Sequence, residues 1–71
     1  MALTVWYGEY KIQIQSIEGF PRGSWFSIFQ IFRGPECINA DTVDFLAINA
    51  ADAERFAIKR AEAYIDELKG G

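Results

Sequence analysis

A chain of 71 residues, 51% hydrophobic and 15% aromatic, can close one hydrophobic core and not two, because small domains bury a low fraction of their surface. That core needs neither metal nor disulfide, and leaves a stability margin of about 3–5 kcal/mol. A formal charge of −3 withholds the long-range attraction that a basic protein feels toward nucleic acid or an anionic membrane, and no apolar stretch reaches the roughly 20 residues needed to cross a bilayer.

Leu3 to Tyr7 is a candidate for a short strand ahead of Gly8. Tyr10 to Gln15 alternates apolar and polar residues, which predicts a strand with Tyr10, Ile12 and Ile14 turned to the core. Glu18 to Ser24 contains Gly19, Pro21 and Gly23, the residue types that supply turn geometry, and reads as a hairpin loop. From Trp25 to Arg33 the chain is apolar on both parities: Trp25, Phe29 and Ile31 lie on one face, Phe26, Ile28 and Phe32 on the other.

Gly34-Pro35 ends that strand. Glu36 to Asp41 then reads as a solvated connection, and Thr42 to Ala47 as a further strand with Val43, Phe45 and Ala47 inward. Asn49 caps a helix from Ala50 to Leu68, with Asp52 favourably placed in its first turn and Gly70-Gly71 as its stop. At about 100° per residue, Ala53, Ala57, Ala61, Tyr64, Ile65 and Leu68 form one stripe, while Arg55, Lys59, Glu62 and Asp66 form the opposite side. Bulky sheet residues such as Trp25, Phe29 and Phe45 are expected to fill the volume that the alanines leave. Phe56 stands off the stripe, toward Ala63, and is expected to wrap a sheet edge. The fold class expected is α+β: a three-stranded antiparallel meander with a candidate extra N-terminal strand, packed on one C-terminal helix, in a single domain spanning 1–71.

Histidine is absent, which removes the commonest general base, the usual partner of a nucleophilic cysteine and the commonest zinc ligand. Cys37 has no partner for an intrachain bridge and no imidazole to make it a thiolate. Glu36, Asp41 and Asp44 with Asn39 lack the alternation, central glycine and closing glutamate of an EF-hand loop. Gly19 to Gly23 lacks the lysine and hydroxyl of a phosphate-binding loop. The diglycine end follows a helix and not a strand, unlike the activated tails of ubiquitin-like carriers, and reads as a cap. No catalytic residue, cofactor or metal is expected. The N-terminus lacks the basic start and apolar run of a signal peptide, and the expected location is the cytoplasm.

Tyr7-Gly8-Glu9-Tyr10-Lys11-Ile12, Gly23-Ser24-Trp25 with Phe29 and Ile31-Phe32-Arg33, and the alanine-rich helix ending Tyr64-Ile65-Asp66 resemble a group of short, functionally uncharacterised proteobacterial proteins. Those proteins share a Tyr-x-Gly-Tyr start, a Gly-x-Trp strand and an aromatic-Ile-Asp helix end. The resemblance implies a bacterial protein and no particular activity. It also implies that the Trp25 face is core, since positions matching Phe26, Ile28 and Phe32 are mostly small or polar in that group.

One helix covers one face of a sheet, so one apolar face of the two-sided strand is left over. The function expected is therefore a non-enzymatic binding or self-association module. Phe26, Ile28 and Phe32 would contact a protein partner or a second copy, inside a polar rim of Lys11, Gln13, Gln15, Thr42 and Asp44. Two alternatives stand beside it. The N-terminal residues Trp6 and Tyr7, or Phe20, could fold over the face; or the face could bind single-stranded nucleic acid by stacking on Phe26 and Phe32, with Lys11, Arg22 and Arg33 meeting phosphates.

Overall fold

The computed structural model describes residues 2–20 and 22–70, and of positions 44–46 the backbone alone. It holds four strands and one helix in chain order: β1 (Ala2–Tyr7), β2 (Tyr10–Glu18), β3 (Trp25–Arg33), β4 (Glu36–Ala47) and α1 (Ala50–Leu68). The strands form one antiparallel sheet in the order β1-β2-β3-β4, a meander with the helix packed on one side.

The candidate N-terminal strand is a full member of the sheet, paired with β2 from Ala2↔Gln15 to Tyr7↔Tyr10. Gly8-Glu9 makes the reversal, with Gly8 at φ +63°, as the first central position of a type II′ turn requires. Gly34-Pro35 repeats the device between β3 and β4: Gly34 takes φ +60°, and proline's fixed negative φ suits the second central position. The longer loop after β2 is closed by Gly19 N–H donating to the Ser24 carbonyl at 2.6 Å and Gly23 N–H donating to Glu18 Oε2 at 2.9 Å.

The connection expected over Glu36 to Asp41 is instead the first half of β4. Two causes hide it in the sequence. Its residues are mostly polar or small, and the register with β3 slips between Ile31↔Asn39 and Phe32↔Cys37, so a bulge at Ile38 breaks the alternation by which strands are recognised. A second slip lies between Trp25↔Ala47 and Ser27↔Val43. Val43 and Ala47 are buried as expected; the inward placing of Phe45 and the rim position of Asp44 lie outside the described residues.

The core joins Tyr10, Ile12 and Ile14 of β2, Phe29 and Ile31 of β3, and Val43 of β4 to Ala57, Ala61 and Ile65 of α1. Trp25 is half-buried at the start of its strand. The sequence reading passes over Ser16 and Ser27, which are buried at directly opposed positions with hydroxyl oxygens 3.1 Å apart. One hydroxyl donates to the other, which gives both the hydrogen-bond partner that burial demands.

The helix bounds agree with the sequence reading. Asn49 Oδ1 accepts from Asp52 N–H at 2.8 Å, satisfying one of the orphan donors of the first turn, and Gly70, at φ +99°, donates its N–H to the Glu67 carbonyl. Leu68 marks the exposed end of the stripe: it is 50% exposed, whereas Ile65 one turn earlier is fully buried. Phe56 is half-buried against the core and lines a concavity with Val43, Lys59 and Arg60, which puts it over the β4 side of the sheet. Phe56→Ala is therefore expected to cost about 1–2 kcal/mol, the transfer free energy of a half-buried phenylalanine. Chemical denaturation measures it, with self-association unchanged.

Tyr7 ties the helix end to β1. Its hydroxyl donates to Asp66 Oδ1 at 2.7 Å, and Lys69 Nζ stands 5.2 Å from its ring centroid and 5.9 Å from that of Tyr10. The Asp66 hydrogen bond, followed by desolvation and the negative charges of Asp66 and Glu62, raises the Tyr7 phenol above its ordinary value of 10.0. The folded chain thus holds this proton more tightly than the unfolded chain. The stabilising contribution is complete below the ordinary tyrosine value and is lost as pH rises through the raised one. An ultraviolet phenolate titration should show a late component that Tyr7→Phe removes and that Asp66→Asn returns toward the ordinary value.

Candidate functional site

Directly opposed residues of antiparallel strands share a face, so the register assigns a side to each described side chain that it pairs. The helix side carries Leu3, Val5 and Tyr7 of β1, Tyr10 to Ser16 in alternation on β2, and Ser27, Phe29 and Ile31 on β3. The other side is an open face of four cross-strand rows. Trp6, Lys11, Phe32 and Cys37 make the first, Thr4, Gln13, Gln30 and Ala40 the second. Ala2, Gln15, Ile28 and Thr42 make the third, and Ile17 with Phe26 the fourth.

The three residues expected to mark the face, Phe26, Ile28 and Phe32, stand on it together and are half-buried. Their partial cover comes from the sheet itself and from the loop after β2. Lys11 Nζ sits 5.1 Å from the Phe32 ring centroid, and the backbone at Gly19 runs against Phe26, where a Cβ would lie 3.5 Å from the ring. Gln30 and Gln13 also interrupt the apolar strip, dividing Trp6 and Phe32 from Ile28, Phe26 and Ile17. Between β1 and β3 the face sinks into a depression of about 230 Å³, lined on this side by Ala2, Thr4, Gln13, Gln15, Ile28 and Gln30.

No segment among the described residues lies over this face. The N-terminal residues extend the sheet as β1 instead of folding back: Trp6 is 66% exposed on the open side, while Tyr7 points to the helix. Phe20, at the tip of the second loop, is 95% exposed and covers nothing. Of the expected rim, Lys11, Gln13 and Gln15 border the strip on one flank and Thr42 on the other.

The cations of the nucleic-acid reading do not converge. Lys11 is on the open face; Arg22 is in the loop beyond Glu18; Arg33 shares the side of Tyr10, its opposed residue, with its Nε 3.9 Å from Glu9 Oε1. Lys11 is also the one charged group on the open face among the described side chains. Trp6 and Ile17 belong to the site although the sequence reading does not place them there. Pairing the first strand through the Gly8-Glu9 turn would have set Trp6 beside Lys11.

Cys37 is exposed and unbridged, its Sγ donating weakly to the Asn39 carbonyl. Among the described residues no three carboxylate or thiol side chains gather as a metal site, and no helix is long and apolar enough to cross a membrane. No protein-family model, curated protein or solved structure matches the chain.

Proposed function

We propose that the chain is a non-enzymatic self-association module in which two copies pack open face to open face. The carrying observation is the open side of the sheet: Phe26, Ile28, Phe32, Ile17 and Trp6 stand there, and the N-terminal segment lies in the sheet as its edge strand and not across it. Exposed apolar surface is disfavoured by roughly 25 cal/mol per Å², and aligned sheet-on-sheet packing is a standard way to bury it. A second copy suits this face electrostatically. The face carries Lys11 alone among its described side chains, whereas the acids of the net −3 chain lie largely on the helix and on the β4 edge. Packing face to face sets the two acidic helices on opposite outer surfaces, where they repel least.

Phe26→Ser combined with Phe32→Glu tests this reading. Neither side chain reaches the helix-side core, and the carboxylate introduced at position 32 would face Lys11, so the far-ultraviolet circular dichroism and a cooperative melt should survive. Face-to-face association measured by sedimentation should be abolished. Retention of that association, or loss of the fold in the double variant, overturns the proposal. Added salt separates it from a nucleic-acid surface: apolar association holds or strengthens in salt, whereas oligonucleotide affinity falls steeply.

A further inference from the structure

We infer that β1 is a second, independent interface: it pairs antiparallel with β1 of another copy and joins two sheets edge to edge. The sheet has two edge strands, β1 and β4, and they are built oppositely. β4 carries the features that keep an edge from pairing with a neighbour. Glu36 and Asp41 are charged, and two register slips bend it against β3. β1 carries none of them. Its six residues, Ala-Leu-Thr-Val-Trp-Tyr, contain no charge, proline or glycine, and four are β-branched or aromatic, the types that favour strands. Its pairing with β2 is regular from end to end, so its outer side presents an unbent row of backbone donors and acceptors.

A second copy is the occupant that this edge suits. Two identical uncharged strands approach without repulsion, whereas the same operation at β4 would bring two acidic edges together. An isologous antiparallel pair has its twofold axis perpendicular to the sheet, which forces residues of like parity to face each other, with Thr4 or Val5 at the axis. Both helices then lie on the same side, and two four-stranded sheets become one of eight. Trp6, 66% exposed, meets the small partner residue Ala2 or Thr4 across the seam, on the open side. Leu3, 36% exposed, meets Val5 or Tyr7 on the helix side. This axis is perpendicular to any twofold that relates two open faces, and where the two axes intersect an assembly that uses both contacts closes at four chains.

Sedimentation of three proteins, with reductant present so that Cys37 forms no bridge, separates this contact from the face-to-face one. Leu3→Lys sets a lysine on the helix side of the edge and leaves the open face untouched. It is expected to weaken edge dimerisation about tenfold or more, because a lysine on an edge strand must give up water to sit against the partner's Val5 or Tyr7. Phe26→Ser/Phe32→Glu should remain an edge dimer, and the triple variant should be a monomer with an unchanged circular dichroism spectrum. Amide exchange in the Phe26→Ser/Phe32→Glu protein gives the direct readout: alternate β1 amides should become protected as concentration rises, and Leu3→Lys should remove that protection. A Phe26→Ser/Phe32→Glu protein that is monomeric at millimolar concentration, or β1 amides whose exchange ignores concentration, overturns the edge contact without touching the face proposal.

Discussion

Phe29→Ala is expected to leave the domain largely unfolded at room temperature. Phe29 is 1% exposed and sits at the middle of β3, opposed by Ile14 on β2 and Asp41 on β4, with the alanine-rich face of α1 above it. Truncating a fully buried phenylalanine costs about 3–5 kcal/mol, part transfer free energy and part cavity. Alanines at 57 and 61 have no side-chain length with which to fill the void, and both lie on a helix held at both ends. The expected loss is as large as the about 3–5 kcal/mol that a domain of this size has in total. Urea denaturation followed by tryptophan fluorescence measures it. A variant that keeps a cooperative transition within about 1 kcal/mol of the wild-type stability would mean that the core collapses around the gap.

Ala61→Leu tests the same interface from the other side. Ala61 is fully buried, as are Ala57 and Ile65 on the same stripe, and the methyl groups let the helix axis come close to the isoleucines of β2 and β3. Three added carbons have no space there, so the helix must lift or the side chains leave their rotamers, at about 1–3 kcal/mol. Lifting the helix would also pull on the Tyr7–Asp66 hydrogen bond of 2.7 Å. The late tyrosine titration of Ala61→Leu should therefore move back toward the ordinary value along with the fall in denaturation midpoint. An unchanged midpoint would show that α1 does not dock through its alanines.

The legible parts of this fold are those whose signal is local. Tyr10, Ile12 and Ile14 alternate, and the structure buries all three; Asn49, the alanine stripe and Gly70 bound a helix that runs from Ala50 to Leu68. β4 was legible only in its second half, because Glu36 to Asp41 has a single large apolar residue, Ile38, and a bulge shifts its phase. Ser16 and Ser27 escaped for a related reason: a hydroxyl looks like a surface group until a partner on another strand is known to stand opposite.

The candidate surfaces divide in the same way. The sequence by itself determined that β3 has two apolar faces and that one helix covers one of them, since alternation and residue count are properties of the chain. Residues 2–7 likewise hold no charged side chain. Tertiary structure alone decided where that segment goes. Its backbone hydrogen bonds with β2, set in register by the Gly8-Glu9 turn, outweigh any cover its aromatic side chains could give the sheet. The segment becomes an edge, and Phe26, Ile28 and Phe32 are left half-buried, with that segment beside them and not across them. The pairing that leaves the face uncovered is thus the same pairing that leaves β1 with a free side.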